Sequence, residues 1–439
     1  MLSIPPSNAY NLNQGQKAAA DAFLAFLFSP DKEFRISGPA GTGKTYLMNY
    51  IIDNTMPRYL EMCKLLGMKP EYDEVMMTAT TNKAADVLST ACNRPTQTVH
   101  SFFNLTVKDD YETGVTSLKR TPRWMVHQNK IIFVDESSMI DGELHKTLHE
   151  GTLNCKLVYV GDRHQLAPVH EDLSPVYKID APMVELLEPM RNSGQPALMN
   201  ICAQLRRTVE TGVHEPIQIV PGVIDLLDDQ QMQAEIQRHF HKQTHEAKIM
   251  AYTNKRVIAY NDHIRGLRAL PAEFQVGEYL VCNGVIHYGK TTIPVETEVE
   301  VMHNAGANQI LVDEEHKVYL DINRLRLRTS LGDVLHDVPV ATNREHFNQL
   351  VKYYAGVKNF KKMYNLKNMI ADLRPIDAAT VHKSQGSTYD TVFIDIGNIG
   401  GCNFLNQVPR LLYVAFSRAR SRVFLYGDLP HKYGGPVLT

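Results

Sequence analysis

Eight residues constrain this chain more than any others: "GPAGTGKT", Gly38 to Thr45. They fit the spacing G-x-x-x-x-G-K-[ST]. The stretch before them, "EFRIS", reads as a short strand, and the stretch after them, "KTYLMNYIIDN", reads as a helix. A glycine loop between a strand and a helix start points backbone N–H groups at one spot, and phosphate suits that spot. Gly38, Pro39, Ala40, Gly41, Thr42 and Gly43 supply the cradle. Lys44 reaches β- and γ-phosphates, and Thr45 holds Mg2+. Such a loop needs a parallel α/β sheet to carry it.

The chain around the loop agrees. "VMMTAT" (Val75 to Thr80), "KIIFVDE" (Lys130 to Glu136) and "KLVYVGD" (Lys156 to Asp162) are apolar runs of strand length. "QGQKAAADAFLAFLF" (Gln14 to Phe28) and "NKAADVLSTAC" have helical spacing. Strands alternating with helices imply a parallel sheet. "NLTVKDDYETGVTSLKR" differs: two alternating segments flank a turn-rich centre, Asp109 to Gly114, and predict an inserted β-hairpin. A second α/β unit starts near Arg191, with "AKIMAYTNKRVIAYNDHIRG" as strand, turn and helix. Residues 268–340 interrupt it with short alternating runs that predict a small antiparallel barrel or sheet, and 344–370 read as two helices split near Gly356. The parallel pattern returns at "DAATVHKSQG", "TVFIDIG" and "RVFLYGD". The expected domains are 1–101 with 123–190, a hairpin at 102–122, 191–267 with 371–439, and an insert at 268–370.

Charge narrows the partners. Across 439 residues the net charge is −2, so the chain is not broadly basic. Any polyanion must be held by a local patch. Six cysteines occur with no CxxC pair, which argues against a cysteine zinc site or a disulfide framework and for a reduced, cytoplasmic setting. The first residues, "MLSIPPSNAYNLNQ", lack the basic and apolar regions of a secretory leader, and no run approaches the ~20 apolar residues of a membrane span.

Hydrolytic chemistry follows the loop. Asp135 and Glu136 end an apolar strand; Asp135 suits Mg2+ and Glu136 suits the general base for the attacking water. In "YVGDRHQLAPV", Asp162 and Gln165 can sense a γ-phosphate. Arg418 and Arg420, in "LLYVAFSRARSRVFLYGD", either solvate a helix end or supply a finger to the transferring phosphate; Arg191, in "LLEPMRN", is a second finger candidate.

"GPAGTGKT", "TATTNKAA", "TVHSFF", "VDESSM", "GDRHQLAPV", "AYTNKRVIAYN", "TVHKSQGSTYD" and "LLYVAFSRAR" come in the order of the superfamily 1 helicase motifs. The chain resembles that superfamily over nearly its whole length outside the two insertions. The hairpin and insert layout is similar to the 1B, RecD-like branch and its compact Dda-like members. That resemblance implies two RecA-like domains with ATP in their cleft and 5′ to 3′ movement along single-stranded DNA. It implies a hairpin separation pin and a barrel-plus-helical-pair insert. Gln16 matches the adenine-reading glutamine, Gln165 and Gly386 match nucleotide-site positions, and Arg191 and Arg418 match the two arginine fingers. Thr80, Asn82, Thr98 and His100 match DNA-contact motifs of the first domain, and Thr253, Asn254, Thr380, His382 and Lys383 those of the second. Hydroxyl, amide and imidazole groups hold phosphates without reading sequence.

The tripeptide Thr-Val-His occurs in both sets, at Thr98–His100 and Thr380–His382, as a grip in each domain. Phe102 and Phe103 either stack on bases or fill the core. In "VKYYAGVKNFKKMYNLKNM" the aromatics are expected to pack on the barrel, while Lys358, Lys361 and Lys362 are open to a DNA role. Tyr111 is expected as an exposed loop residue. The expected partners are single-stranded DNA, its junction with duplex, and a single-strand binding protein or replisome component; the expected state is a monomer. An RNA helicase, or an ATP-switched DNA-binding subunit that does not unwind, are the alternatives.

Overall fold

The computed structural model describes residues 10–168, 171–188, 195–289, 291–330 and 332–438. They divide into two compact units. The first takes the described residues up to Thr106, with Arg120–Met199 and Leu205–Val213; the second takes Val107–Lys119, Asn200–Gln204 and the described residues from His214.

The first unit opens with helix α1 (Gln14–Leu27), whose start is fixed by reciprocal bonds between Asn13 and Gln16. Along this part of the chain the strands are β1 (Glu33–Ser37), β2 (Glu74–Ala79) and β3 (Gln97–Thr98), then the hairpin pair β4 (Leu105–Asp109) and β5 (Thr116–Arg120), most of which belongs to the second unit, then β6 (Lys130–Asp135), β7 (Lys156–Gly161) and β8 (Met183–Glu185). Apart from the hairpin they form one six-stranded parallel sheet, in the order β8-β1-β7-β6-β2-β3. A parallel sheet is covered on both faces. That is why Ile131 to Val134 are all apolar and all 0% exposed. Phe23 of α1 packs 5.8 Å from Phe34 and from Phe133, tying the helix to two central strands.

The helix after the glycine loop runs further than its sequence suggests. Helix α2 (Lys44–Tyr50) passes through a π-helical stretch, Ile51–Thr55, into the helix Met56–Leu65, with Pro57 in the first turn of the last. A wider π turn relieves the clash between a proline ring and the carbonyl four residues back, so Pro57 does not end the run. Helices α3 (Asn82–Cys92) and α4 (Gly142–Glu150) complete what the site needs.

The second unit holds β9 (Ile224–Leu227), β10 (Ala247–Ala251), helix α5 (Asn254–Leu267), β11 (Tyr279–Cys282), β12 (Glu298–Asp313), β13 (Val318–Thr329) and β14 (Val334–Ala341). Helices α6 (Arg344–Gly356) and α7 (Phe360–Met369) follow, then β15 (Leu373–Pro375), β16 (Ala378–Thr380), β17 (Tyr389–Asp395), helix α8 (Gln407–Phe416) and β18 (Ala419–Tyr426). Five strands make a parallel sheet, β9-β18-β17-β10-β16. Five others make an antiparallel sheet, β14-β13-β12-β11-β15, and one backbone bond from Ala371 to Pro339 (2.9 Å) links its two margins.

The long β12–β13 ribbon serves two separate cores. Its register shifts between Val301 and His303, Asn304 and Ala307, and Leu311 and Asp313. Each shift bends the ribbon and re-aims its side chains. Val299, Val301, Leu325 and Leu327 pack with Leu280 and Leu335, whereas Leu320 and Ile322 pack with Tyr354, Met363, Tyr364 and Leu366 of the helical pair.

The hairpin tip rests on α7. The Tyr364 hydroxyl donates to the Gly114 carbonyl (2.9 Å), and the Tyr111 ring stands edge-on to Tyr364 at 5.6 Å. The aromatics of the basic stretch are therefore mostly packed: Tyr354 and Tyr364 are 3% and 5% exposed. Lys362 pairs with Asp313 (2.9 Å) and Glu315 (3.3 Å), while Lys358 and Lys361 are exposed. No helix among the described residues is long and apolar enough to cross a membrane.

Candidate nucleotide site and strand-binding turns

The glycine loop leaves the carboxyl end of β1. A Cβ on Gly38 would stand 2.5 Å from the Leu186 carbonyl oxygen and 2.9 Å from Thr42 Oγ1, so only glycine fits there. Gly41 and Gly43 take φ of +84° and +78°, the left-handed region that glycine enters freely. Lys44 Nζ donates to its own loop, to Gly38 O (2.7 Å) and Pro39 O (3.0 Å). A polyphosphate would offer that ammonium better acceptors. Gln16 is fully buried beside the loop. Its amide nitrogen donates to Thr42 O (3.2 Å), and its oxygen accepts the Asn13 N–H (3.2 Å). Each end of this amide has one of these partners, and the group retains a second N–H and a second lone pair.

Two carboxylates follow β6. Burial and the neighbouring Glu136 charge push the Asp135 carboxyl up to about 7, with Lys44 opposing. Glu136 holds φ of +52°, uncommon for a residue with a side chain, and its Oε2 is buried with no hydrogen-bond partner. Thr80 braces the turn: its N–H donates to Asp135 O (3.2 Å) and its hydroxyl to Glu136 O (3.2 Å). These adjacent carboxylates have Lys44 as a partial counter-charge, and one buried oxygen of Glu136 has no hydrogen-bond partner. Hard oxygen donors of this kind, with the Thr45 hydroxyl at the start of α2, fit Mg2+.

Beyond β7, Asp162 and Gln165 lie in a buried turn, with Gln165 N–H donating to Asp162 O (3.1 Å). Asp162 Oδ1 lies 3.0 Å from His164 Nδ1, and His164 Nε2 lies 2.7 Å from Glu210. Arg163 donates to the same Glu210 carboxylate (2.9 Å). His164 and Glu210 were not legible as site neighbours, because Glu210 is forty-odd residues away on another element.

The strand-binding candidates show one arrangement built twice. In the first unit, β2 ends at Ala79, and the Thr81 hydroxyl accepts the Ala84 N–H (3.2 Å) to start α3 at Asn82. The edge strand β3 pairs Thr98 with Ala79, and the Thr98 hydroxyl accepts the Ser101 N–H (3.1 Å). In the second unit, β10 ends at Ala251, and the Thr253 hydroxyl accepts the Arg256 N–H (3.3 Å) to start α5 at Asn254. The edge strand β16 pairs Thr380 with Ala251, and the Thr380 hydroxyl accepts the Lys383 N–H (3.3 Å). Each hydroxyl is used as an acceptor; the Thr253 hydroxyl also donates to Asn398 Oδ1 (3.4 Å).

His100 and His382 follow these threonines, and burial pushes both imidazoles below their ordinary range. Burial also lowers Lys383, whose Nζ donates to Asn283. Asn254 is exposed, and its carbonyl accepts from Arg374 (3.2 Å). Asn398, which carries no motif signal, accepts the Tyr252 and Thr253 N–H groups (2.8 and 2.9 Å) and so sets the turn. Phe102 and Phe103 are core residues, 6% and 0% exposed, with Phe102 stacked on His127 at 4.1 Å.

Gly386 takes φ of +75°. Arg418 is 4% exposed and folded onto its own unit: it donates to Val414 O (3.2 Å), Ser387 O (3.2 Å) and Ser417 Oγ (2.8 Å). Arg191 lies outside the described residues.

Comparison with known proteins fits this layout. A family model described as an AAA domain matches residues 11–215, which hold the glycine loop and both acids. A model described as a UvrD-like helicase C-terminal domain matches residues 375–426, which hold the second Thr-Val-His turn and Arg418. The chain is 22% identical to the ATP-dependent DNA helicase Dda of Enterobacteria phage T4, over 94% of this chain and 99% of that one. It is 32% identical to the ATP-dependent DNA helicase PIF1 of Emericella nidulans, over 31% of this chain and 18% of that one. Among solved structures it is similar to Pif1 helicase from Bacteroides in complex with ADP-AlF3 and ssDNA. There the TM-score is 0.53 at 14% identity, covering 97% of this chain and 94% of that one, which speaks for the fold. Two parallel-sheet units, one glycine loop, paired turns and a relative matched over nearly its whole length make the chain similar to the Dda-like superfamily 1 helicases.

Proposed function

We propose that this chain is an ATP-dependent DNA helicase that moves 5′ to 3′ along one strand and separates duplex ahead of it. One observation carries the reading beyond ATP hydrolysis. The glycine loop with its carboxylates occurs once, while the threonine-capped helix start and the Thr-Val-His turn occur in both units. Hydrolysis alone has no use for the second copy.

The roles follow from chemistry. Lys44 turns from Gly38 O and Pro39 O to the β- and γ-phosphates. Thr45 and Asp135 hold Mg2+, which supplies charge neutralisation to the phosphates when bound. Glu136 orients the attacking water and takes its proton. Gln165 senses the terminal phosphate, and Gly386 lets the backbone approach the nucleotide. Gln16 sits next to the loop for adenine. Arg191 and Arg418 are the proposed fingers, and Arg418 acts only after leaving Val414, Ser387 and Ser417. Thr80, Asn82, Thr98 and His100 grip phosphates on the first unit. Thr253, Asn254, Thr380, His382 and Lys383 do so on the second. The resemblance to a phage helicase fits work in DNA replication or recombination, alongside a single-strand binding protein.

Strand separation on duplexes with a 5′ or a 3′ single-stranded tail tests the proposal. Wild type should unwind only the 5′-tailed duplex with ATP and Mg2+, and Lys44→Ala should unwind neither. Activity confined to the 3′ tail would refute the polarity. Unwinding by Lys44→Ala would refute the motor.

A further inference from the structure

Opposite the glycine loop, at the other end of the same strand, three metal-ligating side chains converge. Glu33 is the first residue of β1. His145 and His149 lie four residues apart on α4, a spacing that puts both on one helix face. Glu33 Oε1 lies 3.0 Å from His145 Nε2 and 2.7 Å from His149 Nε2, and the two Nε2 atoms are 3.3 Å apart. The Tyr159 hydroxyl donates to the same Oε1 (3.1 Å). Glu33 and His145 are 12% and 16% exposed, while His149 is 38% exposed and opens the cluster to solvent.

Hydrogen bonding accounts poorly for this convergence. Both imidazoles would have to present Nε2–H to one oxygen that a phenol already occupies, with the two N–H groups crowded against each other. A cation in place of those two protons removes the crowding. Tetrahedral zinc, with bonds near 2.0 Å, holds its ligand atoms about 3.3 Å apart, the separation already present between the two nitrogens. The carboxylate needs to draw back only a few tenths of an ångström. Tyr159 would then serve as the outer hydrogen bond that orients a ligating carboxylate.

We propose that Glu33, His145 and His149 form a site for a borderline divalent transition ion of the zinc class, with water as its fourth ligand. It is separate from the Mg2+ site, since imidazole suits zinc and all-oxygen sets suit magnesium. The ion ties the start of the strand that carries the glycine loop to the helix that follows the two catalytic acids. Its role is to clamp the first unit.

The test uses the full-length chain, freed of metal by chelation and titrated with Zn2+ alone, then with Co2+. Wild type should bind one ion tightly, with the intense visible bands of four-coordinate cobalt and a rise in melting temperature. His145→Ala and His149→Gln should lose the bands and the rise. Tyr159→Phe should weaken binding by about tenfold or more. His316→Ala removes a histidine from the Asp313–Glu315–His316 cluster and should change nothing. Circular dichroism of each variant separates lost binding from lost folding. If wild type shows no four-coordinate cobalt spectrum, or if folded His149→Gln keeps it, the proposal fails.

Discussion

At the residue scale, Asp135 costs the fold stability, and its proposed role as a Mg2+ ligand gives that cost a use. Its carboxyl titrates near 3.8 ordinarily and at about 7 in the folded chain, because burial and Glu136 disfavour its charge. Between those values the folded chain holds a proton that the unfolded chain has released. Folding therefore becomes less favourable as pH rises through that window, and the full penalty applies above it. At about 1.4 kcal/mol per pH unit, the cost is on the order of a few kcal/mol. Asp135→Asn should raise the melting temperature of the nucleotide-free chain at pH 8, gain little at pH 4, and abolish ATP hydrolysis. Thermal melts at the two pH values decide it; an equal gain at both would mean that charge is not the cause. Glu136, with its orphaned oxygen and left-handed backbone, bears a related strain.

At the element scale, the hairpin tip shows how a local turn becomes a tertiary joint. Gly114 takes φ of +71°, and a Cβ there would stand 2.6 Å from the Phe360 ring. Gly114→Val should therefore detach the tip from α7, since a clash and a strained backbone together cost ~1–3 kcal/mol or more. Amides of the tip should exchange faster, and duplex unwinding should fall while DNA-stimulated ATP hydrolysis persists. Loss of both activities together would mean that the tip has no separate role in strand separation. The hairpin itself was legible from alternation around Asp109 to Gly114, but its docking was not, because Tyr364 lies 250 residues from Gly114. The same divide holds elsewhere. Periodicity and the glycine loop revealed the parallel strands and the helix starts, since those depend on neighbours in sequence. Pro57 in a continuing helix, Phe102 and Phe103 in the core, and Arg418 folded onto Val414 and Ser387 depend on packing that no short window contains.

At the scale of the whole molecule, the chain's net charge of −2 leaves a polyanion to be held by local groups rather than by a broadly basic surface. Its proposed contacts are hydroxyls, amides and imidazoles, with Lys383 the lone fixed cation among them. Burial keeps His100 and His382 uncharged at neutral pH by lowering both imidazoles. Each phosphate neutralised on a single strand contributes about −0.7 to the slope of log affinity against log salt. One cation then gives a slope of about −0.7 at pH 8, shallow for a nucleic-acid binder. A slope steeper than about −3 would mean that lysines outside the two turns dominate binding. Acidification supplies the sharper test. As pH falls through the depressed range of the two histidines, each gains a charge opposite a phosphate. Affinity should rise and the slope should steepen by about 1.4. Replacing both with glutamine keeps hydrogen-bonding capacity and removes the titration, so the double variant His100→Gln/His382→Gln should bind at pH 8 nearly as wild type does and show no steepening at acid pH. If it steepens like wild type, the imidazoles do not face the strand, and the paired turns are a relic of the shared fold rather than two grips on DNA.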